Sequence, residues 1–140
     1  MRYLLVFLSL AGVVIASMAL RIHYSTATEP CSINEHWDCG IVNHSSYSEV
    51  EHIPVAAIGI IGYLGLALLS FLRRRILLFS AAILGFAFAL HLSSIERDVL
   101  QVWCLYCVIS QGIITLILVF SLVWLIVHEM SKRRAARATT

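Results

Sequence analysis

The sequence predicts an all-α integral membrane protein: a four-transmembrane-helix bundle with a long outer loop that carries a half-helix. Of its 140 residues, 60% are hydrophobic and only 13% are charged, and the mean hydropathy is +0.89. A soluble domain of this size cannot bury so much apolar surface. The apolar residues fall into four runs, and a chain of this length has room for one membrane domain, 1–140. The spans are predicted at about 3–22, 53–72, 76–94 and 102–127, and the outer loop at 23–52.

The first apolar run has an alternative interpretation as a cleaved signal peptide. Arg2 would supply the basic start of such a peptide, and Ala16 to Ala19 include small residues typical of a cleavage site. The run is long for the apolar part of a signal peptide, and at about 1.5 Å per residue it can cross a membrane. We therefore interpret it as a retained span.

The second and third spans are predicted to be antiparallel neighbours. Pro54 lies near the first turn of the second span, where its missing N–H costs least. Gly59, Gly62 and Gly65 recur every third residue, a stripe that predicts close packing against another helix backbone, with a cradle for a ligand as the alternative. The third span follows the link Arg73 to Arg75, and a link this short joins adjacent antiparallel helices.

The positive charges predict the orientation in the membrane. Eight of the ten lysines and arginines lie on one side if both termini are cytoplasmic: Arg2, the 73–75 triplet and four residues after the fourth span. Basic residues collect on the cytoplasmic side of membrane proteins. Only Arg21 and Arg97 then face outward, together with seven of the eight acids. The outer loop and the turn after the third span therefore face outward, and so do all four cysteines.

The cysteines form two pairs, Cys31 with Cys39 and Cys104 with Cys107, on an oxidising face that favours disulfide chemistry. Cys104 and Cys107 lie at the start of the fourth span, where the helix dipole favours the reactive thiolate. Residues three apart in a regular helix have Cβ atoms about 5–6 Å apart, farther than the ~3.5–4.5 Å of a disulfide. A bond between them is therefore strained, which favours a redox role over a structural one.

The first pair leaves two interpretations open. A disulfide closing the nine residues from Cys31 to Cys39 would stabilise the loop by about 2.6 kcal/mol as a structural staple. Alternatively the pair shuttles electrons, which requires an exposed disulfide on a flexible loop. The loop alone favours the staple, whereas a second pair on the same face favours the shuttle. Zinc is a poor alternative because a separation of eight residues does not fit its short ligand spacing, so no metal is expected.

Oxidation of a dithiol also requires an electron acceptor. The sequence has no haem, flavin or nicotinamide signature, whereas a lipid quinone is already dissolved in the bilayer and can lie between helices. Trp103 and Tyr106 are interpreted as interfacial aromatics that could also wall a pocket for a flat ring. His91 is predicted to be hydrogen-bonded inside the bundle, and His23 and His52 to be solvated at its boundary.

From about Pro30 to Gln111 the chain resembles the bacterial branch of the vitamin K epoxide reductase family. Three motifs carry the resemblance by their order and spacing: Cys39-Gly40-Ile41-Val42-Asn43-His44-Ser45 with Cys31 before it, Ile53-Pro54-Val55-Ala56 with Gly59 and Gly62-Tyr63, and Cys104-Leu105-Tyr106-Cys107. The resemblance implies four helices around a quinone, with the CxxC beside the ring. We further expect segment 43–52 to lie as a half-helix over the pocket.

The resemblance also implies a role for each site residue. Cys107 acts on the quinone (ubiquinone or menaquinone), and Cys104 exchanges with Cys39. Cys31 and Cys39 take electrons from a thioredoxin-fold partner. Ser45 matches a serine that hydrogen-bonds a quinone carbonyl, although it could merely cap or line a surface helix.

Three features depart from patterns known in the family. The animal enzymes have tyrosine where this chain has Gln111 and asparagine where it has Val55, which favours simple quinone reduction over epoxide reduction. Many bacterial relatives carry a fused thioredoxin-like domain. This chain stops at Thr140, so we expect a separate thioredoxin-fold periplasmic oxidoreductase as partner.

The sequence therefore predicts a thiol:quinone oxidoreductase of the bacterial inner membrane that supports disulfide formation in exported proteins. Its cysteines would face the periplasm, and no nucleic-acid partner is expected because no basic patch carries interleaved aromatics. Two alternatives remain. One is a non-catalytic membrane protein with structural disulfides or a metal site. The other is a DsbB-type quinone-linked disulfide generator, in which the CxxC lies in the first outer loop instead of opening the last helix.

Overall fold

Helices account for nearly all of the regular structure. The computed structural model describes residues 1–25 and 31–138. Residues 26–30 of the predicted outer loop, Pro30 among them, lie outside the described part of the chain, as do residues 139–140. The elements are α1 (Arg2–Tyr24), α2 (Cys39–Asn43), a 3₁₀ turn (Ser46–Ser48), β1 (Glu49–Val50), β2 (Ile53–Pro54), α3 (Val55–Phe71), α4 (Arg75–Ile95), a π-helical turn (Glu96–Leu100) and α5 (Leu105–Ala138).

The four long helices pack around one apolar core. Helix α1 packs mainly against α3 and α5, and α4 packs mainly against α5. Leu5, Leu78 and Ile117, one from each of three helices, are completely buried at these contacts. The buried hydroxyls of Ser9 and Ser70 each donate to the backbone carbonyl one turn earlier, at 2.8 Å. Such bonds satisfy a hydroxyl inside its own helix, so the core requires no polar contact between helices at these points.

The outer surface of the helices is as apolar as their core. Phe7, Ile61 and Leu84 are about 70% exposed (69%, 70% and 72%), which water would penalise but lipid tails do not. Within the described residues, three helices have the length and composition to cross a membrane: α1, α4 with the π-helical turn, and α5. Helix α3 is apolar but shorter, with 17 residues. The prediction of an all-α membrane protein is confirmed.

The fourth long helix differs from its prediction at both ends. It begins at Leu105, not at 102, because the backbone of Trp103 pairs with the outer loop instead of joining a helix. It continues to Ala138, not 127, and its 34 residues extend about 51 Å. Neither proline nor glycine occurs after Gly112, so no residue breaks the helix there. An ion pair between Lys132 and Glu129 at 3.6 Å bridges adjacent turns of the extension.

The outer loop folds differently from the half-helix predicted over 43–52. The short helix ends at Asn43, and a 3₁₀ turn and a two-strand hairpin follow. Ser45 and Ser48 explain the break, since each hydroxyl donates at 2.7 Å to a backbone carbonyl three residues earlier. Glu51 and His52 connect the strands with positive φ angles of 50° and 67°, as a two-residue hairpin turn requires.

Of the glycines in the four long helices, Gly12 of α1 has the tightest contact with another helix, which the glycine pattern of α3 did not indicate. A Cβ at Gly12 would overlap the ring of Tyr63 on α3. In the predicted stripe only Gly59 meets another helix, 3.6 Å from Ala16 Cβ, whereas a Cβ at Gly65 meets nothing within 4 Å. The stripe prediction is therefore wrong for two of its three positions.

This contact gives a test of the packing. Replacing Gly12 with alanine is expected to lower the free energy of unfolding by about 1–3 kcal/mol, because the added methyl displaces the Tyr63 ring. Gly65→Ala is the matched control, since it adds the same methyl to open space. Thermal unfolding in detergent, followed by circular dichroism, measures both. Equal melting temperatures for the two variants would contradict the close contact.

The two ends of the bundle differ in chemistry. At one end the Arg2 guanidinium lies 5.5 Å from the Phe71 ring centre, and that of Arg75 lies 4.9 Å from the Trp124 ring centre. These contacts place the start of α1 beside the end of α3, and the start of α4 beside α5 well after the cysteines. All four cysteines lie at the opposite end of the bundle, where α1 finishes and α5 begins.

Candidate active site

The first cysteine pair is joined and buried. A disulfide links Cys31 to Cys39, whose Cα atoms are 5.8 Å apart. Cys39 is the first residue of α2, and Asp38 caps that helix by accepting the Ile41 N–H at 3.1 Å. The two cysteines are only 3% and 0% exposed. The expectation of an exposed disulfide is therefore wrong in this conformation, and a partner protein can reach the bond only if the loop moves.

Backbone pairing holds the outer loop against the second cysteine pair. The N–H of Trp103 donates to the carbonyl of His36 at 2.8 Å, and the N–H of Asp38 donates to the carbonyl of Trp103 at 3.1 Å. This short parallel bridge places Cys39 and Cys104 in one buried cluster, closed by apolar residues from α1, α2 and the segment before α5. The two pairs are thus brought together by contacts about 65 residues apart in sequence.

The second pair is a dithiol at the start of α5. Cys104 is buried just before the first helical residue and accepts the Val108 N–H at its carbonyl, 3.0 Å away, while Cys107 lies in the first turn and is half-buried. The two thiols are hydrogen-bonded to each other. Hydrogen bonds, first from the Cys107 side chain and then from the backbone of Cys107 and Tyr106, lower the pKa of the Cys104 thiol and outweigh burial and the Glu96 charge. Cys104 is therefore the readier of the two to lose its proton.

Two polar side chains that the sequence reasoning did not single out touch this dithiol. Asn43 donates its amide to the carbonyl of Cys39 at 2.9 Å and to Cys104 Sγ at 3.6 Å, so it contacts both pairs. Glu96 accepts the Cys104 N–H at 3.0 Å and is hydrogen-bonded to the Cys107 thiol. Glu96 belongs with Arg97 and Asp98 to the turn after the third span, which is predicted to face outward, yet Glu96 is only 3% exposed. No sequence signal separates it from its exposed neighbours.

A cavity of about 380 Å³ opens beside Cys107 between the four long helices. Its wall is mostly aliphatic, and the outer loop covers it with Val42, Ser45 and Tyr47. Tyr63 lies in the wall with its hydroxyl held by the Ser110 hydroxyl at 2.8 Å. An apolar cavity of this volume with a few polar groups is typical of sites for small flat ligands. The polar or reactive side chains that line it are Asn43, Ser45, Tyr47, Ser48, Tyr63, Ser93, Glu96, Tyr106, Cys107 and Ser110.

This arrangement, two adjacent cysteine pairs with the second beside a cavity inside a helical bundle, agrees with the comparison to known families. The family model of the vitamin K epoxide reductases matches residues 3–122. The chain belongs to the vitamin K epoxide reductase family. It is therefore an oxidoreductase of a membrane family that links thiol–disulfide exchange to a quinone. A search of curated proteins finds no significant match to the chain.

Ser45, the residue matched to the quinone-binding serine of the vitamin K epoxide reductase family, does line the cavity. Its hydroxyl donates to the Val42 carbonyl at 2.7 Å. To donate to a ligand carbonyl, the hydroxyl hydrogen must turn away from Val42. Tyr106 also lines the cavity, whereas Trp103 pairs with the outer loop.

The histidine predictions are wrong at two positions. His23 was expected to be solvated, yet its side chain is 10% exposed and joins α1 to the loop. Its Nδ1 lies 2.6 Å from the Asn43 carbonyl and its Nε2 lies 3.1 Å from Glu49 Oε1. His91 was expected inside the bundle, yet it is exposed on α4. Polar boundary residues are hard to assign from sequence because a half-turn of helix separates the two environments.

The possibility of a metal site was tested on the same residues. Over 1–25 and 31–138, no group of three or more histidine, cysteine, aspartate or glutamate side chains is arranged to hold a metal ion. The four cysteines are instead engaged with one another and with Asn43 and Glu96. The residues at the cavity therefore fit the organic acceptor of the vitamin K epoxide reductase family better than they fit a metal.

Proposed function

We propose that this protein is a thiol:quinone oxidoreductase that oxidises a thioredoxin-fold partner and reduces a lipid quinone, either ubiquinone or menaquinone. In the cell this reaction would support disulfide formation in exported proteins. One observation carries the proposal: Cys107 lies in the wall of an apolar cavity, and Cys104 beside it is packed in one cluster with Cys39. The cysteines of the outer loop and those that open α5 therefore meet in one buried cluster beside the cavity.

The proposed electron route follows this line. The partner's dithiol reduces the Cys31–Cys39 disulfide, and the thiol of Cys39 then attacks Cys104 when that residue is bonded to Cys107. Each exchange breaks one S–S bond, forms another and passes on two electrons. The route ends at Cys104 and Cys107 as a dithiol, which is the state found beside the cavity. Asn43, in contact with both pairs, would hold the Cys104 sulfur in line with Cys39.

The cavity suits the quinone as the final acceptor. When bound there, a quinone would take two electrons from the dithiol and two protons, and leave as the quinol. The aliphatic wall would hold the ring and exclude water, while Ser45 would orient a carbonyl. Val55 also lines the cavity and offers no polar group at the position where the animal enzymes carry asparagine, which supports quinone reduction without epoxide reduction.

The proposed setting is the bacterial inner membrane, crossed four times by one domain. Helix α3 is the short span, and its 17 residues extend about 26 Å, close to the ~30 Å hydrocarbon core. With both termini cytoplasmic, Arg2 and Arg75 lie at the cytoplasmic end and the cysteines at the periplasmic end. The burial of Leu5 and Ser9 of α1 inside the bundle supports a retained first span over a cleaved peptide.

The direct test uses purified protein in detergent or lipid discs. A reduced thioredoxin-fold protein is added with ubiquinone or menaquinone analogues, and quinol formation is followed by absorbance. We expect quinol to form in proportion to the partner dithiol consumed, one for one. No quinol formation with any quinone and any thioredoxin-fold donor would contradict the proposal.

Ser45 gives a quantitative test of the quinone position. Ser45→Ala is expected to raise the quinone KM by up to about 10-fold with little change in kcat, because it removes one neutral hydrogen bond of about 1 kcal/mol. Ser46→Ala is the control, since the neighbouring serine is exposed and lies outside the cavity wall. Steady-state kinetics at varied quinone concentration measures both. An unchanged KM in Ser45→Ala would leave Ser45 as a loop residue only.

A further inference from the structure

Glu96 is a buried acid that forms no ion pair with any residue the structure describes. Among the described residues it is the only buried aspartate or glutamate, and none of the salt bridges formed by those residues includes it. Burial of a carboxylate is costly unless hydrogen bonds or a positive charge compensate it. Within the described residues, the hydrogen bonds to Glu96 come from the second cysteine pair: the Cys104 N–H and the Cys107 thiol. A carboxyl in this position can accept a proton at little cost.

The local backbone explains how Glu96 reaches the dithiol. Glu96 begins the π-helical turn that ends α4, and Gln101 reverses the chain with a positive φ of 55°. The chain then returns so that the Cys104 N–H meets Glu96 Oε2 at 3.0 Å. π-Helical turns are rare, and those that occur are frequently at functional sites. Glu96 also forms part of the cavity wall. It therefore lies between the Cys107 thiol and the space that a ligand would occupy.

Two groups are placed to accept the proton of the Cys107 thiol. The Cys107 thiol interacts with the Cys104 sulfur and with the Glu96 carboxyl. When Cys104 and Cys107 join, the proton on Cys107 must leave, and Cys104 can no longer hold it. Glu96 is then the only acceptor that the described structure places on this thiol. We propose that Glu96 is a catalytic residue that takes the Cys107 proton as the disulfide forms and delivers it into the cavity; this role rests on the proposed function.

The step balances in atoms and charge. The dithiol forms one S–S bond and loses two electrons and two protons. The Cys104 proton leaves towards the outer face, and the Cys107 proton moves to Glu96. Glu96 would then pass its proton to a quinone bound in the cavity, which as the two-electron acceptor would need one further proton, from outer solvent, to leave as the quinol. Glu96 returns to the carboxylate for the next turnover.

The other described ionisable groups around Glu96 are not placed to take the Cys107 proton. Of the tyrosines in the cavity wall, Tyr63 is engaged by Ser110, and neither Tyr47 nor Tyr106 is hydrogen-bonded to Glu96 in the part of the chain that the structure describes. On its own element, Arg97 and Asp98 face outward, with side chains 77% and 69% exposed. Proton uptake at Glu96 therefore depends on the two cysteines.

The first test requires no quinone. Infrared difference spectra are recorded between the dithiol and disulfide forms of Cys104 and Cys107, set by glutathione buffers. We expect the disulfide form to gain a protonated-carboxyl band that shifts on ¹³C labelling of glutamate and is absent in Glu96→Gln. Asp98→Asn, an exposed acid two residues away, should keep the band. A parent protein without a redox-linked carboxyl band would overturn the proposal, and this result does not depend on how the variants fold.

The second test measures turnover. Glu96→Gln is expected to reduce quinol formation at least about 100-fold, the usual contribution of a positioned acid or base, whereas Glu96→Asp should recover part of the rate. Asp98→Asn should match the parent. Parent-like turnover in a folded Glu96→Gln protein would overturn the role of Glu96. If the parent itself reduces no quinone, the proposed function fails, and the infrared result still decides whether Glu96 takes up the proton.

Discussion

Replacing Cys107 with alanine is expected to abolish quinone reduction while the helical bundle stays folded. Without the second sulfur, the pair cannot form the S–S bond that releases two electrons, so turnover should fall by at least about 10³-fold. The fold should persist because Cys107 is half-buried in a cavity wall and belongs to the edge of its cluster, not to the apolar core of the bundle. Quinol formation driven by a thioredoxin-fold donor measures the loss.

Val108→Ala is the matched control for this variant. Val108 follows Cys107 on the same turn of α5 and is 38% exposed, so its shortening tests the helix start without touching the sulfur chemistry. Circular dichroism and thermal unfolding in detergent should be alike for both variants. Normal quinone turnover by folded Cys107→Ala protein would remove Cys107 from the electron route and, with it, the assignment of the cavity as the acceptor site.

The second large effect is expected at the outer loop, where the two cysteines should give different trapped species. In Cys39→Ser the Cys31 thiol can attack the disulfide of a partner supplied in its oxidised form, which forms a mixed disulfide and releases one partner thiol, and Cys39 is no longer there to resolve that bond. In Cys31→Ser the Cys39 thiol remains in one cluster with Cys104 and should attack the Cys104–Cys107 disulfide, which forms a Cys39–Cys104 bond and releases the Cys107 thiol. Partner-driven turnover should fall to background in both, since each breaks the route at a different exchange.

Non-reducing electrophoresis and mass spectrometry of the linked peptides distinguish the two products. A partner adduct in Cys39→Ser and an internal Cys39–Cys104 link in Cys31→Ser would establish the order of exchange. The structural-staple alternative predicts a different result. In that case each variant loses only the stability of the disulfide, about 2.6 kcal/mol, and keeps its turnover. Retained partner-driven turnover would therefore exclude the shuttle.

The positions of the helices were largely predictable from sequence, and their ends were not. Apolar runs fixed all four long helices because each run is a local property of composition. The start of α5 depends on a bridge between Trp103 and the loop around Trp37, which no local pattern encodes. The end of α2 likewise depends on serine side chains that bond to the backbone in competition with the helix.

The candidate site shows the same division. The four cysteines could be selected from spacing and sidedness, and Ser45 from its motif, since these signals lie in the order of residues along the chain. Asn43 and Glu96 could not, because an asparagine in a polar loop and an acid in a charged turn look like exposed residues. Each becomes significant only through contact with Cys104.

The sequence by itself determined that this is an all-α membrane protein of the vitamin K epoxide reductase family with two cysteine pairs. Hydrophobicity, charge distribution and motif spacing depend only on the order of residues, so they can be assessed without knowledge of the fold. Only the tertiary structure decided that the first disulfide is buried, that Gly12 receives the Tyr63 ring, and that the buried Glu96 carboxyl faces the second pair. Burial and hydrogen bonding depend on the neighbours of a side chain. Helix packing brings those neighbours together from distant parts of the chain.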